Sequence, residues 1–430
     1  MSRYHLMSFA GIFIFIFLGW IMSNNRRIVN WRVIGWGLGL QFCFGLFVFK
    51  VPAGTAFFMT INDAVVKIVE ASAAGTKFLF GPLALPPGTE GSPGFILAFQ
   101  PLPTVIFFSA LMSLLYYWRI MPFLIRLFAG VFTRLMKISG AESLCVASNI
   151  FVGVESAFTI RPHLAGMTKS ELCTALTAGM ATVASSVMAL YVFMLREQMP
   201  AIAGHLVSAS ILSAPAAIVM AKIICPETGA PATLGIAVRL EYERESNLFE
   251  AIINGANAGV KAVVGISALL LAVLGFVALV DAVMSAAGGW LNALVGVHID
   301  WTLKGLLGYL FYPLTFLMGV PACDASAVAR IVGERLVVTE VAGYRDLAAA
   351  LSHAAITPRS GIITAYALCG FAHFASLAIF IGGFGALAPG RIKDLSEVGI
   401  RSLVAASIAC MITACIAGMF YSHQALLFGR

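Results

Sequence analysis

Charge is the scarcest commodity in this chain. Of its 430 residues only 11% are Asp, Glu, Lys or Arg, against roughly 25% in soluble domains, while 60% are hydrophobic and the mean hydropathy is +0.94. Such a composition cannot dress a surface for water, so an ordinary soluble fold is excluded and a polytopic membrane protein is expected. A dense basic patch interleaved with aromatics is missing, so nucleic acid is not expected as a partner. The eight cysteines (Cys43, Cys145, Cys173, Cys225, Cys323, Cys369, Cys410 and Cys415) contain no CxxC and no zinc-site spacing. They read as small packing residues. HExxH and GxSxG are absent and the histidines are dispersed, so no enzyme and no metal cofactor are expected. No cleavable leader is expected either. The apolar run from Met7 to Met22 ends at Asn24-Asn25-Arg26-Arg27, not at a small-residue cleavage site, and reads as a membrane helix.

What the chain has in abundance is apolar runs. Stretches near the 20 residues needed to span a bilayer cover 7–23, 33–51, 98–118, 172–195, 203–223, 258–284, 361–387 and 401–421. The expected fold is therefore all-α, with about eight transmembrane helices. Three more regions, 53–95, 120–165 and 290–345, are apolar but interrupted by Gly, Pro and charge. They read as interfacial helices and re-entrant hairpins, irregular backbone that a membrane tolerates only around a buried cavity. Within them Phe123–Met136 has amphipathic helical spacing and is expected in the interface.

Positive charge orients the spans. Arg26, Arg27 and Arg32 follow the first. Arg119, Arg126, Arg134 and Lys137 follow the third. Lys222, Arg239 and Arg244 follow the fifth, and Arg391, Lys393 and Arg401 lie between the last two. With alternating spans all four clusters share one side, which should be the cytoplasm. Both termini then lie outside, periplasmic for a bacterial inner membrane. The 81–94 loop has no Lys or Arg and belongs opposite.

Two acids stand out. Glu155, in NIFVGVESAFTIRPHL (149–164), and Glu340, in LVVTEVAGY, lie in apolar surroundings. An acid at a membrane-helix centre costs about 2.5–3.5 kcal/mol, so each is a candidate for handling a substrate, an ion or a proton. Their settings correspond. Residues 141–195 give a hairpin with an acid, a basic turn (Arg161, Lys169), then a span with Thr177, Thr182, Ser185 and Ser186. Residues 305–387 give a hairpin with an acid, a charged turn (Arg345, Asp346), then a span with Thr364, His373 and Ser376. The charge assignment brings the two hairpins in from opposite sides, the signature of an inverted repeat with a midplane site. One integral membrane unit results. Residues 1–97 are scaffold helices with an interfacial region. The first repeat is 98–200 with a hairpin at about 141–165, and 201–304 connects. The second repeat is 305–400 with a hairpin at about 305–345, and 401–430 holds the last helix.

NIFVGVESAFTIRPHL and the following MTKSELCTALTAGMATVASSV resemble the signature of concentrative nucleoside transporters. AFQPLPTVIFFSALMSLLYY (98–117), LMGVPACDA (317–325) and ALCGFAHFAS (367–376) resemble it too, in the expected order, and the similarity runs from about residue 95 to the end. The resemblance implies a trimeric secondary transporter with eight membrane helices, two re-entrant hairpins and a domain that moves like an elevator. Its ligand would be a nucleoside, imported with Na+ or H+.

The resemblance also implies site residues. The family's first tip reads G-Q-T/S-E. Counting back from Arg161-Pro162 puts Glu155 on the family glutamate, facing the base, leaves the tip one residue short, and sets Val154 where a polar residue is usual. An ungapped count would put Ser156 there. Val187 matches an apolar base contact. Thr339-Glu340-Val341 resembles the family N-E-F, which assigns the ribose hydroxyls to Glu340. The bland reading of Glu340 is an acid paired with a nearby cation. In Cys369–Ser376, Phe371 and Ser376 are retained and His373 replaces the family's ribose-binding Asn. His373 could imitate the amide, titrate near neutrality, or be a satisfied core histidine. The implied cation ligands are carbonyls near Asn149 and Val152, with Thr182 and Val183. Replacing Gln by Val and Asn by His should alter which ligand is accepted, because an unpaired buried polar group costs about 1–3 kcal/mol.

Overall fold

The computed structural model describes residues 3–422 apart from 241, 243, 244 and 297. Arg244 and 423–430 thus lie outside the described residues. Among them the fold is all-α. Three N-terminal helices, α1 (Arg3–Ile21), α2 (Trp31–Phe49) and α3 (Pro52–Phe80), lead through a turn to α4 (Leu102–Tyr117) and α5 (Ile120–Met136). The first hairpin follows as α6 (Gly140–Asn149) and the single turn α7 (Ser156–Thr159). Next come α8 (Lys169–Ala181), α9 (Ser185–Leu195), α10 (Ile202–Ile224) and the 48-residue α11 (Leu248–Val295). Then α12 (Leu303–Leu317) precedes α13 (Ala322–Arg335), α14 (Glu340–Ser352), α15 (Pro358–Leu368), α16 (Phe374–Leu387) and α17 (Ile392–Phe420).

Apolar continuity hid two breaks. The expected span 172–195 is two helices, α8 and α9, parted at Thr182–Ala184. The expected span 361–387 is α15 and α16, parted at Cys369–His373. Both broken helices begin at a threonine cap. Thr168 accepts from the Glu171 N–H, and Thr357 accepts from the Ser360 N–H. Six described helices or helix pairs are long and apolar enough to cross a membrane, and the α4–α5 pair, bent by 76°, makes a seventh. The expected span at 361–387 is shared by two helices too short to cross alone.

Two expectations shift. Residues 53–95 read as broken, yet 52–80 form one helix. Its charged residues, including Asp63, Lys67 and Glu70, leave free a stripe of Thr55, Phe58, Asn62, Val69, Ser72 and Thr76 that faces the protein. The second hairpin was expected from 305. Residues 303–317 instead form α12, the chain turns at Gly319 (φ +85°), and α13 starts after Pro321. The hairpin is α13–α14, with its tip at Leu336–Thr339.

Helices α10 and α17 are buried along most of their length, pack on each other, and form the centre of the molecule. The broken helices wrap them. The basic loops meet at one end. Arg32 Nε donates to Leu135 O (3.0 Å), Asn24 N–H to Ile224 O (3.0 Å) and Arg391 Nη1 to Ala165 O (2.7 Å). Lys169 pairs with Glu397 at 2.6 Å. These contacts tie Arg32 and Arg391, two of the cations read from the sequence, to neighbouring loops.

Helix α11 stands apart, held mainly by α4, with Val264, Leu271, Phe276, Leu279 and Val283 exposed. Gly255 and Gly259, spaced as G-x-x-x-G, permit the α4 contact. A Cβ at Gly259 would stand 2.6 Å from Ile106 Cα, and one at Gly255 2.7 Å from Ala110 Cα. Gly259→Val should therefore cost about 1–3 kcal/mol by overpacking and lower the thermal midpoint in detergent. An unchanged midpoint would contradict this packing.

Candidate functional site

Helix ends inside an apolar protein leave carbonyls and N–H groups that need partners. Here each hairpin tip is tied to a neighbouring break. Ser185 N–H, the first of α9, donates to Phe151 O of the first tip (2.9 Å). Phe374 N–H, the first of α16, donates to Leu336 O of the second (3.3 Å). The two breaks also touch. Gly370, at φ +139°, lies so close to α8 that a Cβ would stand 2.8 Å from the Ala181 carbonyl. Two hairpin tips and two breaks therefore converge.

Glu340 opens α14 and is 4% exposed. The helix N-terminus favours its negative charge. Tyr191 O–H donates to its Oε1 (2.6 Å), and His373 Nε2 stands 2.7 Å from its Oε2. His373 also caps α16, its Nδ1 accepting from the Ser376 N–H (3.2 Å), while Ser376 Oγ lies 2.8 Å from Nε2. With Nδ1 accepting, the ring hydrogen belongs on Nε2, which bonds Ser376 Oγ and stands beside Glu340 Oε2. His373 thus supplies one acceptor and one donor, as an Asn amide would. Beneath them Tyr191 stacks on Tyr344 (centroids 4.3 Å apart), and Tyr344 O–H donates to Ala365 O. Tyr191 was not singled out in the sequence. Its one signal is its position four residues after Val187, on the same helix face.

The structure brings Glu340, His373 and Ser376 together. Val187 on α9 and Phe371 in the break between α15 and α16 are half-buried. Glu155 takes a different setting. It is exposed at the first tip, accepts from the Gly153 N–H at 3.1 Å, and lines a cavity of about 790 Å³. That cavity lies between the first tip, α4 and α11, with Tyr116, Tyr242, Arg161 and Asn254 in its walls. Ser156, the ungapped alternative, is fully buried within the hairpin beside Cys145. Val154 packs against α16, where its Cγ2 would meet a Cβ on Gly383 at 2.2 Å.

At the end of α6, Asn149 Nδ2 donates to Cys145 O (3.0 Å), while its buried Oδ1 has no hydrogen-bond partner. Thr182 caps the end of α8 and donates to Ala178 O. Val152 is half-buried and Val183 buried. An orphaned buried oxygen beside free helix ends suits a hard cation.

Comparison with known proteins follows the same outline. Models of the Na+ dependent nucleoside transporter match at 10–83 for the N-terminus and 205–418 for the C-terminus, and a nucleoside recognition (Gate) model matches at 98–198. An uncharacterized transporter from Haemophilus influenzae is 36% identical over 96% of this chain and 97% of its own length. The chain belongs to the Na+ dependent, or concentrative, nucleoside transporter family. It is a membrane transporter and not an enzyme. Mouse sodium/nucleoside cotransporter 1 is 36% identical over 97% of the chain, and human solute carrier family 28 member 3 is 34% identical over 98%. The chain spans 64% and 61% of those two longer proteins. CNTnw in an inward-facing substrate-bound state superposes with TM-score 0.86 at 32% identity, covering 97% of this chain and 98% of CNTnw. An outward-facing CNTnw variant gives 0.88 at 32% identity, covering 98% of both chains.

Because His373 caps α16, His373→Ala should lower stability by about 0.5–2 kcal/mol, and His373→Asn should restore most of it. Denaturant unfolding in detergent checks this. Equal stability of the Ala and Asn variants would rule the cap out.

Proposed function

We propose that this transporter imports nucleosides by symport, with Na+ as the coupling ion. The carrying observation is the buried Glu340–His373–Ser376 cluster at the meeting point of both hairpins and both breaks. A carboxylate accepts two hydroxyl hydrogen bonds, and charge-assisted bonds are about twice as strong as neutral ones. Glu340 receives the ribose hydroxyls. Tyr191 holds Oε1 beforehand, while Oε2 stands beside His373 without a hydrogen-bond partner and is left for a ligand hydroxyl. His373 and Ser376 complete the sugar side. Glu155, Val187 and Phe371 address the base, Glu155 from the first tip as that domain closes.

The cation binds at the ends of α6 and α8. Asn149 Oδ1, the Thr182 hydroxyl oxygen and the carbonyls of Val152 and Val183 are its ligands. Its charge neutralises the partial negative charge of those helix ends, which fixes the first tip and prepares the nucleoside site. Differential binding of this kind couples the two solutes.

Transport follows an elevator. The hairpins and broken helices carry both solutes across the bilayer, while α4 and α11 stay fixed in a homotrimer. The cavity separating the first tip from α4 and α11 supports this division, as do the uncovered apolar side chains of α11. The basic face is cytoplasmic, and the protein sits in the bacterial inner membrane with both termini periplasmic.

A second reading keeps the symport but changes the ligand to a modified nucleoside, a nucleobase or another ribosyl compound, or the ion to H+. Val154 turned onto Gly383 and His373 at the sugar favour it.

Radiolabelled uridine uptake into proteoliposomes under an inward Na+ gradient tests the main reading. Accumulation above the outside concentration, abolished by a Na+ ionophore, is expected. Glu340→Gln should fold and assemble but lose most uptake, at least tenfold, since the site loses its charge-assisted bonds (about 1.5–3 kcal/mol each). Wild-type uptake in that variant would refute the ribose role.

A further inference from the structure

Among the described helices four begin at a threonine, and three of those threonines follow one pattern. Thr168, Thr302 and Thr357 each accept from an N–H in the first turn of α8, α12 and α15. Each also donates to a carboxylate: Thr168 to Glu227 (2.8 Å), Thr302 to Asp300 (2.7 Å) and Thr357 to Asp324 (2.6 Å). A hydroxyl has one proton to give and lone pairs to accept with, and these caps use it in both senses. Thr339, which opens α14 at the second hairpin tip, does neither. It makes no cap bond, and its Oγ1 has no hydrogen-bond partner although the residue is only 3% exposed.

A carboxylate follows it directly in the chain. Glu340 Oε2 is also buried and also without a hydrogen-bond partner, while Oε1 is taken by Tyr191. The orphaned oxygen stands beside His373, in the cluster that faces the sugar. Two buried orphans on consecutive residues are costly if nothing answers them. Their chemistry is complementary. The carboxylate oxygen can only accept, and the Thr339 hydroxyl has a proton to give. A single group that donates to the first and accepts from the second satisfies both, and an alcohol is such a group.

We propose that Thr339 is a specificity-determining residue of the sugar site. One sugar hydroxyl donates to Glu340 Oε2 and accepts from Thr339 Oγ1. A hydroxyl held in both senses is told apart from a hydrogen atom, which can do neither, because its absence leaves both protein groups unpaired. The proposal rests on reading Glu340 as the ribose ligand.

Calorimetric titration of uridine and of its 2′-, 3′- and 5′-deoxy analogues, in Na+, tests it. Thr339→Val keeps the shape of the side chain and removes its hydroxyl. It should weaken uridine binding about three- to tenfold, and Thr339→Ser should stay within about twofold of wild type. The penalty should vanish for one deoxyuridine, the one that lacks the clasped hydroxyl, and persist for the other two. An equal penalty for all four ligands is what a merely structural threonine would give, and it overturns the proposal. So does a penalty that vanishes for more than one analogue, no penalty for uridine, or a Ser variant as weak as the Val variant. Should Thr339→Val not fold, Thr339→Ala removes the same hydroxyl and carries the same expectations, and failure of both to fold would make Thr339 structural and overturn the proposal. Failure of the Glu340 reading looks different. Glu340→Gln would then bind uridine as tightly as wild type, whereas it should bind at least about tenfold more weakly if the Thr339 proposal alone fails.

Discussion

Everything in this molecule depends on where the backbone groups freed by four helix interruptions find their partners. In an apolar interior an unpaired N–H or C=O costs free energy comparable to a lost hydrogen bond. The chain meets that demand by bringing the interruptions together. Each hairpin tip lends a carbonyl to the N-terminus of a half-helix, through Ser185 to Phe151 and through Phe374 to Leu336. Gly370 lets the two breaks touch. Polar side chains on the two central helices complete the set. Ser210 of α10 donates to Ile150 O (2.9 Å), and Cys410 of α17 donates to Cys369 O (3.2 Å). Once polar backbone is concentrated at one depth, that depth can hold a sugar and an ion, and the surrounding protein cannot.

The same constraint explains the buried charge. Glu340 begins a helix and Arg335 ends one, so each faces the favourable pole of a dipole. Glu142, near the start of α6, has a different solution. It lies 2.8 Å from Lys222 of α10, and the Ser139 N–H donates to its Oε1. That pair anchors the base of the first hairpin to the centre. In the second hairpin Asp324, at the same place in α13, accepts from the hydroxyls of Thr357 and Ser360. Two chemically different anchors thus secure the first turn of the two hairpins.

Much of this was legible in the chain. The scarcity of charge announced a membrane protein, the paired acids announced a duplicated core, and the run Cys369–Ser376 carried the family pattern. The breaks were not legible, because Thr182-Val183-Ala184 is as apolar as a continuous helix. Only Gly370 marked its counterpart. Helix α3 was misread because its charges lie along one side, which a window average cannot separate from interruption. The second hairpin was set too early because α12, at 15 residues and with Pro313 inside it, is too short to read as a clean span and was merged with the hairpin that follows. Tyr191 escaped for a related reason: nothing in its neighbours tells an apolar span that a partner 149 residues away waits for it.

The account turns on a cation at Asn149 preparing a nucleoside site at Glu340. Calorimetric titration of uridine into the purified protein, in Na+ and then in choline at equal ionic strength, tests that linkage directly. Coupling free energies of this kind are about 1–3 kcal/mol, so uridine should bind about 5–150-fold more tightly in Na+, and Na+ should bind more tightly by the same factor when uridine is present. Equal uridine affinity in the two salts would contradict the account.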